Sequence, residues 1–331
     1  MASLDIFNGD AFSLQSLTKA INDLPYQPTR IGELGLFTED SIDTTSISIE
    51  RLGSTLSLVP VSPRGAPVPK NRDEKRSAFS INTVRLAQGD TLYADEIQNV
   101  RAFGSETELE AVQTKVNRKL AKLKRNIDVT MEYQRIGALK GQVVDSDGTT
   151  VLLDCYTLFG LSKQTLDMQL DVDATKVKLR TVAAKRLVES ALGAKRYTGL
   201  RAFCSASFFD ALVGHPAVTK AYDLWLEGQF LREDQRGGFP FAGVQWEEYR
   251  GTVSGQDFIP DTKAILVPEG VADMFVTNFA PADYMETVNT NGLPYYARQE
   301  MLPKNRGVDM EAQTQTISIN TQPNAVIELT I

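Results

Sequence analysis

Apolar side chains recur at steps of three and four through Leu109, Val112, Val116, Leu120, Leu123, Ile127 and Met131. This spacing draws one continuous stripe along a helix. Ser105 and Glu108 form an S-x-x-E capping box at its start, in which hydroxyl and carboxylate satisfy free backbone amides. Continuation to Leu139, with Gly141 as the stop, gives a rod on the order of 50 Å at 1.5 Å per residue. A helix that long predicts a scaffold beam. Elsewhere the period is two: Ile317 and Ile319, then Ile327, Leu329 and Ile331, alternate with polar neighbours, which puts one apolar face on each C-terminal strand.

Residues 44 to about 104 read as a long hairpin, with Ile47, Ile49, Leu56 and Leu58 outbound and Phe79, Ile81 and Val84 returning. Its tip, Ser62 to Arg76, holds Pro63, Pro67 and Pro69 and a charge run, a composition that cannot form a central strand. A two-stranded projection of this kind is marginal alone and needs a partner surface, so Arg64, Gly65, Lys70, Arg72 and Lys75 are its candidate contacts with that surface. The first 43 residues read as an acidic arm with one short helix near Leu14 to Ile21, which needs another surface to lie on. Gln142 to Asp154 is a hairpin turning at Asp147-Gly148. From about 175 to 290 helices and strands mix: Val177 to Leu192 has helical spacing, Ser205 to Leu212 begins another helix, and Ala264 to Pro268 is a buried strand. The expected parts are therefore an arm over 1–43, a hairpin over 44–104, a helix-bearing domain over 105–174, an α+β domain over 175–290 and returning strands over 291–331.

A chain of 331 residues with 42% hydrophobic content suffices for about two domains and a sizeable core. The start, Met1-Ala2-Ser3-Leu4-Asp5, has neither a basic nor an apolar leader region, and no run approaches the roughly 18 apolar residues of a bilayer span. A soluble, unexported chain with no membrane partner is the expectation. Net charge is −7, unevenly spread. Residues 1–50 carry two bases against eight acids, and residues 51–140 carry sixteen bases against ten acids. Opposite-signed blocks can steer neighbours into register. Within the basic block, Lys115, Arg118, Lys119, Lys122, Lys124 and Arg125 follow one another on the long helix with no intervening acid. That run reads as a solvated face, or as a contact with nucleic acid or with the acidic arm. No aromatic residues interleave with it, so stacking on single strands is not indicated.

Candidate chemistry is sparse. Cys155 and Cys204 have no metal-ligand spacing, and His215 is the sole histidine, so no metal centre and no cofactor is expected. Both cysteines read as small buried hydrophobes. No P-loop, G-x-G-x-x-G, H-E-x-x-H or G-x-S-x-G motif occurs. His215 precedes Pro216 and reads as a helix-boundary residue. Glu247 and Glu248 are adjacent on a strand, so they face opposite sides and cannot share a substrate; one pairs with an arginine on this reading. Asp145 and Asp147 fall far short of an oxygen cage for a cation. No catalytic residue is nominated; an α+β enzyme using Glu248 or His215 is the remote alternative.

Several motifs in this order resemble the lambda-type family of tailed-phage major capsid proteins. They are Met131-Glu132-Tyr133-Gln134-Arg135 to Gly141, with the Asp147-Gly148 hairpin and Phe159-Gly160; Phe203-Cys204-Ser205 to Phe208-Phe209, with Leu212, His215 and Tyr222; Phe241-Ala242-Gly243 to Glu248-Tyr249-Arg250-Gly251; and Phe279 through Pro281 to Tyr296 and Ala297. Gln313-Thr314-Gln315-Thr316 departs from the Asn-Pro-Leu-like run expected there. The resemblance implies an α+β subunit of the Hong Kong 97-type capsid fold, with N-arm, E-loop, spine helix in a peripheral domain and an axial domain. It implies self-assembly into hexamers and pentamers of an icosahedral shell around double-stranded DNA, a virion location and assembly in the host cytoplasm. Scaffolding, portal and decoration proteins are the further partners it suggests. An encapsulin-type compartment is the alternative within the same fold.

Overall fold

The structure, a computed structural model, describes residues 13–24, 29–51, 77–93, 96, 108–223, 235–253 and 256–331. Its helices are α1 (Leu14–Asp23), α2 (Arg30–Glu33), α3 (Glu108–Leu139), α4 (Cys155–Phe159), α5 (Val177–Leu192), α6 (Ala206–Gly214) and α7 (Pro216–Asp223). Its strands are β1 (Thr38–Ser41), β2 (Ser46–Arg51), β3 (Ser77–Asn82), β4 (Val84–Tyr93), β5 (Gln142–Val144), β6 (Val151–Asp154), β7 (Gln164–Asp167), β8 (Gly199–Cys204), β9 (Phe239–Phe241), β10 (Val244–Glu248), β11 (Thr252–Val253), β12 (Gln256–Asp257), β13 (Lys263–Glu269), β14 (Phe275–Ala280), β15 (Tyr296–Met301), β16 (Gly307–Asn320) and β17 (Ile327–Thr330). They fall into two compact units, each drawn from separate stretches of chain.

The first unit takes residues 1–47, 81–135 and 276–318. Its sheet is ordered β1-β14-β16-β15, with β4 also paired to β16. β16 is the long central strand: Met301 lies opposite Val308 on one side, and Leu92 lies opposite the same residue on the other. The helix α3 runs 32 residues, about 48 Å. Its Val116, Leu120, Leu123, Ile127 and Met131 share one core with Val308, Met310 and Ala312 of β16 and with Leu17 and Ile21 of α1. The stripe read from spacing is thus the core face wherever its side chains are described; Ser105, Leu109 and Val112 lie outside that range.

The second unit takes residues 48–80, 136–275 and 319–331. A six-stranded mixed sheet, β7-β17-β13-β8-β10-β9, organises it. The paired β8 and β13 at its centre bury Ala202, Phe203, Cys204, Ala264, Leu266 and Val267. Helix α5 buries Val177, Thr181, Ala184, Val188 and Leu192 at helical spacing. Ser205 caps α6, its hydroxyl accepting from the Phe208 amide, and Phe208 stacks on fully buried Trp246 at 6.2 Å. Cys155 and Cys204 are free and buried; burial pushes the Cys155 thiol up to about 11 and raises that of Cys204 too.

Two expectations are corrected. The arm is not waiting for another surface over its described length: α1 buries Leu17 and Ile21 in the core of its own unit, and β1 adds in parallel to β14. A ten-residue helix with apolar residues at positions 14, 17 and 21 carries a stripe that its own chain covers. The hairpin ends sooner than expected, because β2 and β3 form the two-stranded ribbon whereas Val84 opens β4, a strand of the large sheet. From Ala312 to Asn320 β16 is buried on both faces, Thr314, Thr316 and Ser318 being as enclosed as Ile317 and Ile319.

Candidate functional site

The candidate basic face of α3 divides into two environments. Lys119 is only 17% exposed at its side chain, and its ammonium donates to Asp90 at 3.0 Å, to the Thr91 carbonyl at 2.7 Å and to Glu96 at 3.3 Å. Partial burial pulls its pKa down, but the two carboxylates outweigh this and raise it. Asp90 moves in the opposite sense: desolvation raises it, while the bond to Lys119 and the charges of Lys119 and Lys122 bring it below its ordinary value. Lys122 lies 3.6 Å from Asp90 yet keeps 69% of its side chain in solvent. Arg118 and Arg125 are exposed, and Lys115 is half-buried.

Lys124 does not belong to this face at all. It is 4% exposed and donates to the Ile21 and Leu24 carbonyls at 3.0 and 2.7 Å, satisfying the free carbonyl end of α1. Its ammonium also sits 4.6 Å from the centre of the Tyr295 ring. Burial lowers its pKa, partly offset by Asp128. The expectation of one uniform basic surface is corrected accordingly: Lys119 and Lys124 hold the fold, while Arg118, Lys122 and Arg125 face solvent.

The same helix carries polar anchors that spacing alone did not single out. Tyr295 donates its hydroxyl to Asp128. Glu132 accepts from the Ile31 amide at 2.7 Å, and Arg135 reaches Glu39 at 2.6 Å. Lys124, Asp128, Glu132 and Arg135 recur at steps of four and three beside the apolar stripe, which was the available signal. They fix the segment from α1 to β1 against the beam.

The candidate chemical groups are occupied structurally. His215 caps the end of α6; its Nδ1 accepts from the Ala217 amide, and its Nε2 lies 3.1 Å from the Val172 carbonyl, both ring nitrogens being engaged. Glu247 pairs with Arg201 at 2.8 Å, and Glu248 lies 3.4 Å from Arg250. Both carboxylates thus meet arginines, where one had been expected to. Asp147 is exposed and accepts from the Thr149 and Thr150 amides and the Thr150 hydroxyl; the bonds from Thr150 come first in holding its carboxyl far below the usual range. Among the described residues no group of three or more histidine, cysteine or carboxylate side chains could hold a metal ion, and no helix is long and apolar enough to cross a membrane. The tip residues Arg64, Gly65, Lys70, Arg72 and Lys75 lie outside the described residues.

A family model described as phage major capsid protein E matches residues 13–331. The chain belongs to that family. It is therefore a tailed-phage major capsid protein, and the resemblance read from the motifs is borne out. The major capsid protein of Pseudomonas phage KPP10 is 28% identical over 342 residues, covering 96% of each chain. That of Salmonella phage Felix O1 is 25% identical over 357 residues, again covering 96% of each. A solved putative capsid protein of an Escherichia coli CFT073 prophage superposes with a TM-score of 0.58 at 12% identity, over 97% of this chain and 99% of that one. The α+β Hong Kong 97-type capsid fold follows from these neighbours. As a capsid protein, the chain has its place in the virion shell.

Proposed function

We propose that this capsid protein assembles with copies of itself into hexamers and pentamers of an icosahedral shell that encloses double-stranded DNA. The observation that carries the reading is the capsid family match over nearly the whole chain. In this reading the first unit, with α3 as spine, is the peripheral domain and the second unit the axial domain; residues 1–43 are the N-arm, and the ribbon of β2 and β3 with the segment between them is the E-loop. Arg64, Gly65, Lys70, Arg72 and Lys75 contact a neighbouring subunit. Many weak contacts repeated around closed rings give the assembly its strength.

Arg118, Lys122 and Arg125 face the packaged DNA and meet its phosphates without reading sequence. The protein works by assembly and not by catalysis, consistent with the structural use of His215, Glu247 and Glu248. Assembly takes place in the host cytoplasm, with scaffolding, portal and decoration proteins as partners. Sedimentation of the purified protein tests the reading: particles hundreds of times heavier than one chain support it, whereas a monomer or dimer at every concentration rules it out.

A further inference from the structure

In the first unit, the interface between α3 and β16 changes character along its length. Asn126 donates to Gln88 at 2.8 Å, and Gln88 lies opposite Ala312; Lys119 bonds to Asp90 and Thr91, which lie opposite Met310 and Asp309. Helix and strand therefore advance in the same direction. Eight further residues of helix, from Asn126 to Gln134, cover about 12 Å at 1.5 Å each, which is about four residues of strand at roughly 3.3 Å each. That carries Gln134 over Thr316. Even-numbered β16 residues share the face of Val308, Met310 and Ala312, which pack on Leu120, Leu123, Ile127 and Met131. The face then continues as Thr314 and Thr316, and Gln134 follows Met131 at helical spacing.

All three of these residues are at most 1% exposed. The Thr314 and Thr316 hydroxyls, both amide atoms of Gln134 and the Nε of neighbouring Arg135 bond to no protein group. Burying such groups bare is costly, since each loses its bonds to water and gains nothing in return. Native interiors meet this situation with ordered internal water. The donor set also selects among ligands. It consists of two hydroxyls and a neutral amide, each able to donate and accept, while the one guanidinium is already paired with Glu39 at 2.6 Å. With the cation neutralised and no carboxylate left over from that pair, neither a metal ion nor an anion fits, whereas water fits.

We infer that α3 and β16 enclose a hydrated seam, in which ordered water bridges Gln134 to Thr314 and Thr316 as part of the folded subunit. The inference goes beyond the shell-forming reading and stands if that reading fails. Two measurements on the full chain test it. In a density map fine enough to show water, solvent peaks should lie within ~3 Å of the Gln134 amide and of the Thr316 hydroxyl. The shape-preserving Thr316→Val should lower Tm by several degrees, because the bridging water loses a partner. A seam without solvent peaks overturns the inference. So does a Tm that Thr316→Val leaves unchanged or raises, the result expected when a bare hydroxyl is replaced by a methyl in a dry core.

Discussion

Gly292 shows why one residue of the stretch from Phe279 to Ala297 is required. A Cβ there would lie 2.2 Å from the Phe279 carbonyl oxygen, a backbone atom that cannot swing aside, while the Gly292 amide donates to the Ile42 carbonyl at 2.9 Å. Gly292→Ala should therefore cost about 1–3 kcal/mol through overpacking, seen as a lower midpoint in denaturant unfolding of the subunit. At the same scale, Lys119 and Asp90 give opposite pH signatures. Lys119 has its pKa raised above the ordinary 10.5, so its contribution is complete below that value and fades as pH climbs through the folded pKa. Asp90 has its pKa depressed below 3.8, so its contribution is complete above that value and fades as pH falls through the folded pKa. Lys119→Met should reduce both outer slopes of the profile of unfolding free energy against pH, the acid one only in part because Lys122 still acts on Asp90, and lower the plateau between them. The Lys119 pairing was not legible in the sequence, because its partners Asp90 and Glu96 are joined to it by tertiary contact, which leaves no period.

The beam was legible because an uninterrupted stripe over many turns has few alternatives to a long helix with one covered face. Leu120, 1% exposed at the centre of that stripe, gives the corresponding test: Leu120→Asp buries an unpaired charge and should cost several kcal/mol, read as a lowered Tm of the isolated subunit. Helix α6 was legible at its start for a local reason, the hydroxyl of Ser205 on the Phe208 amide. Ser205→Ala should cost about 1 kcal/mol, measured by chemical denaturation. What the pattern could not give was which surface covers a short element. Helix α1 was expected from its spacing, but its seat against β15, with Asn22 bonded to the Tyr295 carbonyl at 2.9 Å, depends on residues 273 positions away. The alternation in β16 likewise gave one apolar face and left the cover of its polar face open, since alternation does not distinguish water from a second layer carrying its own polar side chains.

For the whole molecule, the order of elements and four sets of motifs were enough to reach the fold family, because the family match runs over residues 13–331. The basic face was only half legible: the sequence located the charges, and the structure divided those that hold the subunit from those left outside. Replacing Arg118, Lys122 and Arg125 together by Gln should leave shell yield unchanged and lower the DNA retained by particles. The loss should deepen with salt as screening weakens the remaining phosphate contacts, and nuclease-protected DNA per particle measures it. Deleting residues 63–75 should leave the subunit folded by circular dichroism and abolish closed shells. The most direct measurement is electron cryo-microscopy of the purified wild-type protein. Closed icosahedral shells with six-fold and five-fold capsomers are the predicted result; dispersed monomers or dimers, folded and at high concentration, would contradict the account.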